Sequence, residues 1–149
     1  MAEVVLRYYR NGQAKRAGAV LGVPREMDAG FDLPCVEDVS IPAHGFSLIA
    51  TGLHLAIPEQ WVGLVRDRSS VALRGGAVTA GVIDAAYRGE VKIAMHNLSG
   101  ETLCFKAGER IAQLIVVPHL PGSASEETGS LEQLGESGRG HGGFGSTGR

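Results

Sequence analysis

The sequence predicts an all-β domain followed by a glycine-rich C-terminal arm, and three observations carry that expectation. Glycine fills 22 of 149 positions, about twice its ordinary share, as many tight turns would require. Apolar runs of strand length recur about every ten residues with turn signals between them, the spacing of a sandwich, barrel or jelly roll. Only Val71–Leu73, just after a serine pair, offers a helical candidate.

Each element has its own signal. Val4 to Tyr9 is rich in β-branched and aromatic residues and reads as a first strand. Residues 11–28 are broken by Gly12, Gly18, Gly22 and Pro24 too often for a helix, and read as an irregular crossing segment. A strand from Val36 to Ile41 ends at Pro42, and Ser47 to Ile57 sets Leu53, Leu55 and Ile57 against His54 and Ala56. Trp61 to Val65 follows Pro58. Val91, Ile93 and Met95 alternate with Lys92, Ala94 and His96, which predicts one buried face. Ile111 to Val117 is almost wholly apolar and suits a strand buried on both faces. Residues 121–138 are rich in Gly, Ser and Glu and predict a flexible linker. The chain is thus expected to divide into a β core, 1–120, and a linker with a terminal arm, 121–149.

Composition excludes several function classes. A formal net charge of −2 gives no electrostatic footprint for nucleic acid, so a polyanionic ligand must be held by a few placed arginines and backbone amides. Cys35 and Cys104 match no zinc spacing and fit a reduced compartment. The first ten residues carry Glu3 and Arg7 without an apolar core, and no run approaches the ~18 apolar residues that span a membrane. The expectation is a soluble cytoplasmic protein with no membrane or nucleic-acid partner.

Three segments carry chemistry. Gly140, Gly142 and Gly145 imitate a dinucleotide fingerprint, but no strand precedes and no helix follows them. The same tip imitates a phosphate loop without its lysine. Its physics survives: clustered glycines let amides converge on an anion, Arg139, Ser146 and Thr147 add donors, and Phe144 is available to stack on a base. On composition alone a disordered tail is an equal reading. Arg68-Ser69-Ser70 offers a guanidinium fork and two hydroxyls to phosphate oxygens, although such triplets are more often surface turns. Asp84 is a lone carboxylate in an apolar stretch between two strand-like runs, the tip of an expected β-hairpin, where it either caps the turn or does acid–base work.

Taken in order, the segments resemble the five motifs of the trimeric dUTP pyrophosphatases: Asp28–Leu33, Arg68–Ser70, Gly81–Glu90, Gly108–Ile115 and Arg139–Gly148. The resemblance implies a homotrimer of jelly-roll subunits with shared interfacial sites, hydrolysing dUTP to dUMP and pyrophosphate. It implies that Gly81, Val82 and Ile83 bind uracil through backbone groups and that Tyr87 lies under the deoxyribose, excluding a 2′-hydroxyl. Asp84 would hold the 3′-hydroxyl and activate water. Arg68, Ser69, Ser70 and Gln113 would grip the phosphates, Gln113 also near the water, with Asp32 in the metal region. Phe144 would cover the base while Arg139, Gly145, Ser146 and Thr147 close over the phosphates. Mg²⁺ would arrive on the triphosphate, with no direct protein ligand.

The chain departs from that pattern in places. Ala86 stands where many relatives have a second aspartate. Asp67 precedes the Arg-Ser pair where glycine or proline is commoner, and is expected to turn toward Arg66 or solvent so as not to repel phosphate. Residues 10–27 match no family pattern. The nearest alternative is a dCTP deaminase, similar in fold and in its Arg-Ser-Ser segment, but that chemistry needs a glutamate on the strand read here as Val91–Asn97, which has none. A binding module with a nucleic-acid tail is a further alternative, opposed by the charge balance.

Overall fold

The computed structural model describes residues 5–137, and the chain divides after His119 into two units. The first begins with β1 (Arg7–Arg10), α1 (Gly12–Ala17), β2 (Gly30–Pro34), β3 (Val39–Ile41) and β4 (Phe46–Ala56). It continues through β5 (Trp61–Asp67), α2 (Ser69–Ala72), β6 (Gly76–Thr79), β7 (Val82–Ile83), β8 (Glu90–Asn97), β9 (Leu103–Phe105) and β10 (Arg110–Pro118). Two four-stranded sheets, ordered β1-β4-β8-β6 and β2-β10-β5-β7, accompany the small pair β3-β9. Every pairing among the described residues is antiparallel, and the architecture is the all-β, jelly-roll-like one the strand spacing predicts.

The alternation in β8 works as read: Val91, Ile93 and Met95 are fully buried. They join Leu53 and Leu55 of β4 and Ile111 and Leu114 of β10 in one core. Burying whole aliphatic side chains, at roughly 1.5–3 kcal/mol each, is the main force holding the sheets together. On β10, Ile111, Ala112 and Leu114 are buried while Gln113 and Ile115–Val117 are half-buried, so the strand is less enclosed than its apolar run suggests.

Four local readings need correction. A six-residue helix, α1, lies in the segment read as irregular. Its glycines do not break it because they stand at its ends. Asn11 caps it by accepting a hydrogen bond from the Ala14 amide at 3.0 Å, and Gly18, at φ 65°, ends it in the left-handed region. Buried Ala14 then docks it against Ala19 and Val36. The first strand starts later than expected, at Arg7. Residues 36–37 form a bend and Asp38 lies outside any strand, so β3 is only its last three residues, while β2 supplies a strand the apolar pattern did not reveal. Asp84 does not tip a hairpin: β7 pairs with β5, whereas β8 pairs with β4 and β6. Its turn passes from one sheet to the other.

In the second unit, Gly122–Ala124 and Glu132–Leu134 form single 3₁₀ turns. Residues 121–137 bury no side chain, and Leu131 and Leu134 are exposed.

Candidate active site

The chemistry-bearing residues of the core fall into two clefts. The first, of about 400 Å³, has Asp28, Asp32, Arg68, Ser69, Arg110 and Gln113 on its walls. Its geometry starts in the sheet, where Asp32 of β2 stands directly opposite Gln113 of β10, and opposed residues share a face. Strand β5 leaves the sheet at Asp67, and Arg68, in extended backbone, begins the single helical turn α2 that buried Val71 anchors. Arg68 Nε lies 2.9 Å from Asp32 Oδ1, and Arg68 Nη1 donates to the Arg110 carbonyl at 2.9 Å. Arg110 Nη1 closes the cluster at 3.3 Å from Asp32 Oδ2. The Gln113 amide donates to the Asp67 carbonyl at 2.8 Å. A guanidinium fixed on two sides, beside a hydroxyl and an amide, is a preset cradle for phosphate oxygens. Ser70 is exposed and lines no wall of this cleft.

Asp67 turns neither toward Arg66 nor to solvent as expected. Its Oδ1 accepts the Val78 amide of β6 at 2.5 Å. An edge N–H that would otherwise need water draws the carboxylate away from the phosphate cradle.

The second cleft, of about 240 Å³, is lined by Val82, Ile83, Asp84, Tyr87, Glu90 and Lys92. The Gly81 carbonyl accepts the Val65 amide at 2.8 Å and fixes the start of β7. A turn closed by Tyr87 N–H on the Asp84 carbonyl at 3.0 Å follows. The Tyr87 hydroxyl donates to the Glu90 carbonyl at 2.9 Å, which sets the ring against the cleft. A nitrogen of the half-buried His54 ring, Nδ1, meets the Arg88 carbonyl at 2.9 Å and tethers the loop to β4. Ala86 is an exposed turn residue, and among the described residues the Asp84 carboxylate has no partner. Strand β8 begins one residue earlier than read and so does contain a carboxylate, Glu90, whose Oε1 accepts the Gly52 amide at 2.8 Å.

Within one chain the two clefts do not combine. Ile83 opposes Gly63 on β5, and Gln113 opposes Arg66 on the same strand. Three residues of rise and two inter-strand gaps put them about 14 Å apart, far beyond the ~3 Å of a hydrogen bond. Asp32, Arg68, Ser69 and Gln113 are therefore gathered in one place, and Val82, Ile83, Asp84 and Tyr87 in another. Arg139, Phe144, Gly145, Ser146 and Thr147 lie outside the described residues. Sequence reasoning missed Arg110, Glu90, Lys92 and Arg25 as cleft residues. The first two sat in plain view, inside segments already singled out. Among the described residues no group of three His, Cys, Asp or Glu side chains could hold a metal ion, and no helix is long and apolar enough to cross a membrane.

Comparison with known proteins matches residues 18–148 to the family model described as dUTPase. The deoxyuridine 5′-triphosphate nucleotidohydrolase of Wolinella succinogenes is 44% identical over 124 residues, covering 81% of this chain and 80% of the relative. That of an Anaeromyxobacter species is 43% identical over 152 residues, covering 98% and 99%. Among solved structures, a mutant dUTPase of Staphylococcus bacteriophage 80alpha with dUpNHpp superposes with a TM-score of 0.84 at 25% identity, over 97% of this chain and 99% of that one. The EIAV dUTPase gives 0.72 at 29% identity, over 85% and 98%.

Proposed function

The chain belongs to the dUTPase family, and from that premise we propose that it is a dUTP diphosphatase, hydrolysing dUTP to dUMP and pyrophosphate with Mg²⁺ delivered on the substrate. The observation that carries the reading is the Asp32–Arg68–Arg110 cluster beside Gln113, a cradle built for phosphate oxygens.

The substrate in this reading is the Mg²⁺–triphosphate, and the oxygen-rich donors of the cleft suit it: a hard cation already held by phosphates asks for outer carboxylate, amide and hydroxyl oxygens rather than a cage. Arg68 and Ser69 hold the phosphate chain, and Ser70, which lines no wall of the single-chain cleft, joins them only in the assembled site. Backbone groups of Gly81–Ile83 take the uracil, and the Tyr87 ring lies under the sugar. Water attacks the α-phosphorus in line, Asp84 receives its proton, Gln113 orients it, and pyrophosphate leaves. Such a reaction needs positioning and charge stabilisation more than covalent help.

A site with that chemistry needs both clefts within a few ångströms, which one chain does not provide. The proposal therefore includes a homotrimer in which Asp84 and Tyr87 of one subunit face Arg68 and Gln113 of another. Residues 121–149 act as linker and arm, with Phe144 over the base and Arg139, Gly145, Ser146 and Thr147 over the phosphates. A cytoplasmic location completes the proposal. Pyrophosphate release from dUTP, set beside dCTP and UTP, tests it: release from dUTP alone supports it, and ammonia from dCTP would replace it with the deaminase reading.

A further inference from the structure

Arg25 lines the phosphate cleft, within the span that the family model matches but ahead of the first motif, Asp28–Leu33. Arg68 and Arg110 both face Asp32, so much of their charge is already answered. Among the described residues the Arg25 guanidinium has no hydrogen-bond or ion-pair partner. With Arg25 the ionisable groups on the cleft wall, Asp28 and Asp32 included, carry one net positive charge, and without it they balance. A wall of zero net charge gives a polyanion little long-range attraction.

The backbone delivers Arg25 there by a specific route. Gly22 and Asp32 exchange two backbone hydrogen bonds, each of 2.9 Å, so the chain before Arg25 is tied to the residue whose carboxylate holds Arg68. A side chain at position 22 would place Cβ 2.6 Å from Asp32 Cβ, so only glycine permits this approach. Pro24 then restricts the backbone, and the Asp28 amide closes a turn on the Arg25 carbonyl at 2.9 Å. We infer that Arg25 is a further substrate-binding residue, whose guanidinium engages the triphosphate and favours it over a nucleoside monophosphate. The inference rests on the dUTP reading of this cleft.

Calorimetry on the full-length wild type and variants, with Mg²⁺, tests it using the imido analogue dUpNHpp and dUMP as probes. Arg25→Ala is expected to weaken the analogue about tenfold, one charge-assisted hydrogen bond's worth, while dUMP stays within about twofold. Arg25→Lys should recover part of the loss and Arg25→Gln none, and the loss should shrink as salt rises. Unchanged affinity of Arg25→Ala for the analogue overturns the inference. So does an equal loss for both ligands, which would assign Arg25 to the shape of the loop. Wild-type protein that neither binds the analogue nor releases pyrophosphate from dUTP overturns the parent reading as well, and the wild-type arm alone distinguishes that failure.

Discussion

Asp32 Oδ1 lies 2.9 Å from Arg68 Nε, so a carboxylate in the first motif sets the angle of the arginine in the second. The pair is partly exposed, and such pairs contribute about 0–1 kcal/mol to stability. Its consequence should therefore appear in catalysis. Asp32→Asn keeps the shape but removes the charge that orients Arg68, and is expected to lower kcat/KM for dUTP by about 10²-fold, the usual effect of misplacing a positioning group. Thermal unfolding should shift little. A kcat/KM close to wild type would show that Arg68 holds its place through the Arg110 carbonyl alone.

Tyr87 is positioned by its neighbour Gly89. A Cβ at position 89 would fall 2.3 Å from the tyrosine hydroxyl oxygen and 2.5 Å from Cζ, so Gly89→Ala must push the ring off its Glu90 hydrogen bond. If that ring excludes a 2′-hydroxyl, Gly89→Ala should narrow the ratio of kcat/KM for dUTP over UTP, and Tyr87→Ala should narrow it further while also slowing dUTP. An unchanged ratio in both variants would place sugar selection elsewhere.

These relationships mark where sequence reading stops. Period-two burial made β4 and β8 legible, because side chains alternating across a buried sheet leave a pattern that local composition cannot hide, whereas β10 was legible only as a nearly unbroken apolar run. The candidate site was legible as types of residue in order. Its geometry was not: Asp32 and Arg68 meet only because β2 and β5 flank β10, a non-local fact. Helix α1 was missed because two caps and one buried alanine make it, not propensity. Asp67 was misplaced because its partner, the Val78 amide, belongs to a strand whose pairing no local signal reveals. Arg25 went unseen for the same reason, since the Gly22–Asp32 bridge that delivers it joins chain segments without a periodic signature.

The two cysteines differ in reactivity. Cys35 is fully buried, its thiol donating to the Lys106 carbonyl at 3.1 Å, and burial raises it above its ordinary value of 9.0. Cys104 is exposed. One thiol should react promptly with a disulfide reagent in native protein and the second only on unfolding. The sign of the linked pH effect follows. A group raised in the folded state contributes stability below its unfolded value and loses it as pH climbs toward the folded one. Stability should therefore decline above about pH 9, and Cys35→Ala should remove that part of the decline. Two thiols reacting equally fast in native protein would contradict the buried assignment.

The separation of Asp84 from Gln113 within one chain makes the shared site testable by mixing. Asp84→Asn alone should keep the fold and lose about 10²–10⁴-fold in turnover, the worth of a positioned acid–base group. Arg68→Ala should be similarly impaired through its phosphate contacts. Each variant retains what the other lacks. Unfolded together at equal concentration and refolded, they should assemble into trimers at random. If a site draws Asp84 from one subunit and Arg68 from another, each draw succeeds half the time, and about one quarter of sites should be whole. If one chain supplied both groups, no mixed site could be whole, because neither variant carries the pair. Pairing Asp84→Asn with a chain ending at Gly138 puts the same question to the arm. Activity that stays at the level of the separately refolded variants, with mixed trimers confirmed by mass, would exclude the shared site.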